Sequence, residues 1–235
     1  MAKDHLKRLA APRTWPLKKK GIPFITRPAP TGAEMDMSLP LVIVFKDLLG
    51  LAQTTKEVKH ILHGQEVFID GRRVFDHDQS VSLFGTVSVP ATKLNYRLTI
   101  NTKNTLTLIP IQSAEAKLRP CKIKGKTVLG KNKVQLNCLD GSNVTVKKDE
   151  YKRGNTILVN VEKKTVEKQF AFEKGATVLL YKGKHVGHLA TVEEFDSKNV
   201  TLKADDGKVF ETRRAYCFVV GQKKAEFTIK ANKTD

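Results

Sequence analysis

The sequence is poor in what a membrane span, a secreted scaffold or a metalloenzyme requires. Its apolar runs are short, Leu41–Phe45 being typical, whereas a spanning helix takes roughly 20 such residues. No segment is therefore expected to cross a bilayer. Basic residues near the N-terminus have no apolar stretch behind them, so the pattern of a secretory signal is missing and a cytoplasmic protein is expected. Only three cysteines occur, Cys121, Cys138 and Cys217. Their odd number, wide separation and lack of any Cys-x-x-Cys argue against a disulfide framework and a structural zinc site, and they read as small buried apolar residues. Without secretion, the Asn-x-Thr triplets at Asn143, Asn199 and Asn232 carry no meaning as glycosylation signals.

Catalytic signatures are also missing. There is no Gly-x-Ser-x-Gly, no phosphate-cradling glycine loop ending in Lys-Ser/Thr and no dinucleotide fingerprint. His60-x-x-His63 and His185-x-x-His188 supply two ligands each, without a third partner in a motif spacing and among lysines whose charge opposes a cation. The acid pairs Glu193-Glu194 and Asp205-Asp206 look like solvated charges. The expectation is a protein with no catalytic or metal site, no cofactor and no small-molecule substrate.

Cations are abundant. Lys and Arg number 42 against 24 Asp and Glu, a net charge of +18, and such an excess repels itself unless a polyanion neutralises it. With no membrane segment, nucleic acid is the natural partner.

The first 37 residues read as a basic extension. Pro12, Pro16, Pro23, Pro28 and Pro30 interrupt any helix, and up to residue 28 the cations Lys3, Lys7, Arg8, Arg13, Lys18, Lys19, Lys20 and Arg27 face only Asp4. Trp15 and Phe24, set among these charges, suit stacking on unpaired bases, with the arm ordering as RNA binds. Residues 38–92 read as a compact unit. Leu39–Leu49, stopped by Gly50, suits helix or strand equally. Thr54, with Glu57 three residues on, opens an amphipathic helix ending at Gly64, whose apolar face is Val58, Ile61 and Leu62. Its other face stacks Lys56, Lys59, His60 and His63 into a cationic stripe. The following hairpin turns at Asp70-Gly71 and presents Arg72 and Arg73 near that stripe. Residues 93–168 alternate apolar and polar in the manner of an all-β domain, starting with Tyr96, Leu98 and Ile100 and including Val134, Leu136 and Cys138. A last unit, 169–222, spaces its strands as a small barrel does, and 223–235 forms a short basic tail.

These residues carry a resemblance. His5-Leu6-Lys7-Arg8-Leu9-Ala10-Ala11-Pro12, followed by Trp15, resembles the opening of the four-e family of small-subunit ribosomal proteins of archaea and eukaryotes. Arg27-Pro28, Leu39-Pro40-Leu41, Glu57-Val58-Lys59, Ile69-Asp70-Gly71, Asn101-Thr102-Lys103, Glu115-Ala116-Lys117 with Cys121-Lys122, and Glu211-Thr212-Arg213 follow in the family's order. The resemblance implies an α+β multidomain fold: a basic N-terminal extension, a helix-hairpin RNA-binding domain of the ribosomal S-four type with both helices α, a central β domain and a C-terminal KOW-type small β-barrel. It further implies a structural constituent of the small ribosomal subunit, archaeal-like, that binds ribosomal RNA beside neighbouring small-subunit ribosomal proteins. The RNA-binding residues expected on this reading are Lys3, His5, Lys7, Arg8, Arg13, Trp15, Lys18, Lys19, Lys20, Arg27, Lys56, Lys59, His60, His63, Arg72, Arg73, Lys182, Lys184, Arg213 and Arg214. The alternative is a free RNA-binding accessory factor of transcription or translation.

Overall fold

The computed structural model describes residues 5–130, 133–204, 207–222 and 225–229; Lys3, Asp205-Asp206, Asn232 and most of the expected tail lie outside them. In chain order the elements are β1 (Leu6–Lys7), β2 (Phe24–Ile25), β3 (Ser38–Pro40), α1 (Leu41–Ile43, continued by a wider π-type turn, Val44–Leu48), α2 (Thr55–Gly64), β4 (Phe68–Ile69), β5 (Arg72–Arg73), β6 (Ser80–Ser82), β7 (Thr86–Val89), β8 (Leu94–Ile100), β9 (Leu106–Pro110) and α3 (Ser113–Ala116). Then come β10 (Leu118–Gly130), β11 (Lys133–Cys138), β12 (Asn143–Val146), β13 (Thr156–Asn160), β14 (Thr165–Phe170), β15 (Thr177–Leu180), β16 (Leu189–Phe195), β17 (Asn199–Ala204), β18 (Val209–Arg213) and β19 (Cys217–Gly221). Helices are few and sheets dominate. The described residues fall into two compact units, one drawn from Met1–Thr99 with Thr105–Lys117, the other from Ile100–Asn104 with Leu118–Asp235.

In the first unit, Leu41–Phe45 is helical despite its β-branched residues. All five side chains are buried, Pro40 sets the extended residue before the first turn, and Gly50 ends the element at φ +64°. Tertiary burial has overridden β propensity here. The Asp70-Gly71 turn has positive φ at both residues, 49° and 68°, the geometry of a tight two-residue hairpin. The Asp70 carboxylate accepts from the Thr86 N–H at 2.8 Å and so ties the turn to β7. A five-stranded sheet runs β5-β4-β7-β8-β9. It contains β8 and β9, which were expected in the central β domain, so the expected boundary at residue 92 does not coincide with the break between compact units. Both faces of β8 are buried: Leu98 and Ile100 on one, Arg97 and Thr99 on the other. Burial pushes the Arg97 pKa down, while Glu115 and Asp70 favour its charged form. Its guanidinium donates to the Glu115 carbonyl at 3.0 Å and meets the Glu115 carboxylate at 3.3 Å, both supplied by α3.

The described part of the basic extension has an apolar side of its own. Ala11, Trp15 and Met37 are buried. The Thr14 hydroxyl donates to Asp36 O at 2.7 Å, the Trp15 indole N–H donates to Met35 O at 3.2 Å, and Thr14 O accepts from Leu106 N–H at 2.7 Å. The arm is thus pinned to the edge strand β9 and to the segment ahead of β3.

The second unit holds two antiparallel five-stranded sheets, β12-β11-β10-β13-β14 and β18-β17-β16-β15-β19. The long β10 serves two partners, β13 along Leu118–Lys122 and β11 beyond Ile123. Its core gathers Cys121, Ile123, Val134, Leu136, Cys138, Val144, Ile157 and Val159. Cys138 lies in this core with Val134 and Leu136, as the alternation of β11 predicts. The wide sequence separation of the cysteines is misleading, however. Pairing of Ile123 with Cys138 brings Cys121 and Cys138 side by side, while Cys217 is buried in β19.

Lys122 links the two sheets. Its ammonium is buried and donates to Ala215 O at 2.7 Å and Cys217 O at 2.6 Å, and it lies 5.1 Å from the centre of the Tyr181 ring. Burial pushes its pKa from the ordinary 10.5 to about 8, against the two carbonyls that favour the charge. An unfolded chain keeps this proton up to 10.5 and the folded one sheds it from about 8. The lysine's contribution to stability therefore rises with pH between those values, by at most about 1.4 kcal/mol per pH unit. Lys122→Met removes that slope. Urea unfolding of both proteins from pH 7.5 to 10 is expected to show the difference in free energy, wild type minus variant, increasing through this window; a constant difference refutes the shift.

Candidate nucleic-acid interface

The cationic stripe is built by the capping of α2. Thr54 Oγ1 accepts from Glu57 N–H at 3.2 Å, and Glu57 accepts in return from Gln53 N–H and the Thr54 hydroxyl, each at 2.8 Å. These bonds, the Gln53 N–H foremost, hold the Glu57 carboxyl below its ordinary pKa and keep it ionised at the positive end of the helix. With the start of the helix fixed, Val58 and Leu62 are buried and Ile61 is half-buried, while Lys56, Lys59, His60 and His63 are exposed. Arg72 and Arg73, from β5, are exposed as well.

Phe75 joins stripe and hairpin into one surface. It is 48% exposed; the Arg73 guanidinium carbon lies 4.8 Å from its ring centre and the His63 ring 6.3 Å away. Arg73 also reaches Glu66 at 3.7 Å, with both side chains exposed, a pairing worth little. The surface therefore presents lysine, arginine and histidine donors around an accessible aromatic face, which suits phosphates and a flat base. Phe75 was missed in the sequence, although parity identifies it: it follows buried Val74 and shares the side of Arg73.

The arm divides its expected contacts. His5, Lys7, Arg13, Lys18, Lys20 and Arg27 are exposed. Arg8 and Lys19 turn inward: Arg8 donates to Lys18 O at 2.8 Å, and Lys19 donates to Ala11 O at 2.6 Å and Pro12 O at 3.3 Å. Their charge closes the fold of the arm. Trp15 is 2% exposed with its N–H used, so the stacking role expected of it is corrected to a core role. Phe24 is the accessible aromatic, 52% exposed, with His5 edge-on at 5.8 Å and Lys7 as its cross-strand partner. Lys3 lies outside the described residues.

In the second unit, Lys184 and Arg213 are exposed and Lys182 is half-buried. Gly187, in the loop between β15 and β16, packs so closely on Asn101 and Thr102 that a Cβ would lie 2.4 Å from their backbone. His185 stacks on Phe210 at 4.2 Å. Arg214 is half-buried, its guanidinium carbon 4.8 Å from the Phe172 ring centre and 5.3 Å from that of Phe195. Among the described residues, neither histidine pair gathers a third metal-ligating side chain; the one such grouping is Cys121, Cys138 and Asp140.

Fold and surface together define a class: basic, sheet-rich proteins with spread cationic faces. The chain belongs to the ribosomal protein family S4e. Residues 92–166 match the family described as Ribosomal family S4e and residues 2–31 match the RS4NT (NUC023) domain. It is 37% identical to the small ribosomal subunit protein eS4 of Methanocaldococcus jannaschii, over 94% of this chain and 96% of that one. It is 36% identical to the eS4 protein of Methanocella arvoryzae with the same coverage. The crystal structure of the 30S ribosomal protein S4e from Thermoplasma acidophilum is similar in fold, with a TM-score of 0.69 and 22% identity, covering 82% of this chain and 99% of that one.

Proposed function

We propose that this protein is a non-catalytic structural constituent of the small ribosomal subunit, working in the cytoplasm, where it holds ribosomal RNA and packs beside neighbouring ribosomal proteins. The observation that carries the reading is the exposed α2 stripe joined through Phe75 to the β4–β5 hairpin, in a chain of net charge +18. Residues 38–92 act as an RNA-binding domain of the S-four type and residues 169–222 as a KOW-type unit. The extension 1–37 adds phosphate contacts, residues 93–168 form a central β domain and residues 223–235 a short basic tail. A tagged protein expressed in an archaeal host is expected to sediment with small subunits through a high-salt gradient. Recovery in the soluble fraction at every salt concentration identifies a free accessory factor instead.

Phe75 gives a second test of the same surface. Phe75→Ala should weaken binding to small-subunit ribosomal RNA by about 1–3 kcal/mol, the worth of one stacked base, and leave the salt dependence of affinity unchanged. An unaltered affinity removes Phe75 from the interface.

A further inference from the structure

The β10–β11 hairpin brings together three side chains that the RNA-binding role does not use. Cys121 Sγ, Cys138 Sγ and one carboxylate oxygen of Asp140 all lie within 4.8 Å of one another, and Cys121 Sγ is 3.9 Å from Asp140 Oδ2. Both cysteines are 4% exposed. We propose that Cys121, Cys138 and Asp140 form a binding site for a thiophilic divalent cation of the zinc type, which clips the turn after β11 onto β10.

Three arguments support the assignment. The first is distance. Zinc takes sulfur at about 2.3 Å and carboxylate oxygen at about 2.0–2.2 Å, so in a tetrahedral site two sulfurs stand about 3.8 Å apart and a sulfur and an oxygen about 3.6 Å. For Cys121 and Asp140 the observed 3.9 Å closes to that value by a few tenths of an ångström, and the other two pairs, within 4.8 Å, close by at most about 1 Å, within the reach of side-chain torsions. The second is preorganisation. Asp140 is held by the Ser142 N–H at 3.2 Å and by the Ser142 hydroxyl at 2.8 Å, and it pairs with Arg119. The turn itself is fixed by Gly141 N–H to Cys138 O at 3.1 Å and Cys138 N–H to Ser142 O at 2.9 Å. Supports of this kind orient ligands in metal sites.

The third argument is charge. In the metal-free protein two neutral thiols adjoin a carboxylate paired with a guanidinium, so the cluster is neutral. A divalent cation enters as the two thiols lose their protons to solvent, forming two metal–sulfur bonds and one metal–oxygen bond. The charge stays at zero, with Arg119 offsetting the third anion. The cluster thus accepts the ion without leaving a net buried charge, the main cost of placing a cation in a core. Three protein ligands leave the fourth tetrahedral position to a water.

The experiment uses the full-length reduced protein with Co2+ and Zn2+ as probes. Co2+ is expected to produce a thiolate-to-metal charge-transfer band that Zn2+ abolishes at one equivalent. Calorimetry in buffers of different ionisation enthalpy should find about two protons released per ion at neutral pH, as thiol ligands require. Cys121→Ser and Cys138→Ser should each remove the band, Asp140→Asn should weaken affinity by more than about tenfold, since a direct ligand is lost and an outer-shell partner alone is worth that much, and Cys217→Ser should leave both band and affinity unchanged. Because a serine variant can unfold, protection is read on the Cys217→Ser protein as well. There Zn2+ should slow alkylation of Cys121 and Cys138 at least about tenfold, following occupancy of the site. No band and no protection on the folded protein, or a band that survives both serine substitutions, overturns the proposal.

Discussion

Replacing Trp15 by Ala is expected to lower the stability of the first unit by about 3–5 kcal/mol, the range for removing a large buried aromatic side chain, and to leave RNA affinity unchanged wherever the variant is folded. The indole is 2% exposed and its N–H reaches Met35 O, so truncation opens a cavity and leaves that carbonyl without its donor. Its neighbour Thr14 ties the arm to Leu106 of β9 and to Asp36; a cavity there loosens the arm from the sheet edge. Thermal unfolding followed by circular dichroism should show a melting temperature lower by roughly 6–20 °C, the shift that such a loss produces at this chain length. Trp15 is the sole tryptophan, so its emission in the wild type reports directly on this pocket and should not be quenched by added RNA. Unchanged stability together with weakened RNA binding would return the residue to the surface role its sequence context suggests.

That context shows where reading the sequence succeeds and where it stops. Local chemistry was legible: the Thr54–Glu57 capping box, the Asp70-Gly71 turn and the alternation of β11 depend on residues a few positions apart, and each is found in the structure. The stripe was legible for the same reason, since the period of a helix determines which side chains share a face. Non-local pairing was not. An aromatic among cations suits a base or a core equally, and Trp15 was decided by contacts with residues 20 or more positions away. β8 and β9 carry the same alternation as later strands, and only their hydrogen-bonded neighbours place them beside β7. Cys121 and Cys138 lie 17 residues apart, yet one hairpin register makes them adjacent. Arg8, Lys19 and Arg214 are half-buried and reach carbonyls or rings, contacts that have no local signature in the sequence.

Neutralising the stripe should have the largest effect on binding. In a variant carrying Lys56→Gln, Lys59→Gln, Arg72→Gln and Arg73→Gln, all four altered side chains are exposed, and no core atom is removed. Among the described residues the ion pair broken is the exposed one to Glu66, so each change should stay within about 0.5 kcal/mol of neutral for stability. Binding responds differently, because each phosphate contact releases condensed counterions and contributes about 0.7–0.9 to the slope of log affinity against log salt. If all four cations meet phosphates, the slope flattens by roughly 3 and affinity falls by about a thousandfold near 0.1 M salt, with the two curves converging toward about 1 M. Filter binding to small-subunit ribosomal RNA across that salt range measures both quantities at once. A parallel variant with Lys7, Arg13, Lys18 and Lys20 changed to Gln, all of them exposed on the arm, provides the comparison at equal charge. Equal losses in the two variants would point to a diffuse field acting on RNA from anywhere on the surface. A steeper loss from the stripe, which alone sets its cations around the Arg73, Phe75 and His63 cluster, marks contacts made at defined phosphates. An unchanged slope in the stripe variant, with melting also unchanged, reduces the α2 face to a solvated surface and transfers the binding to the arm.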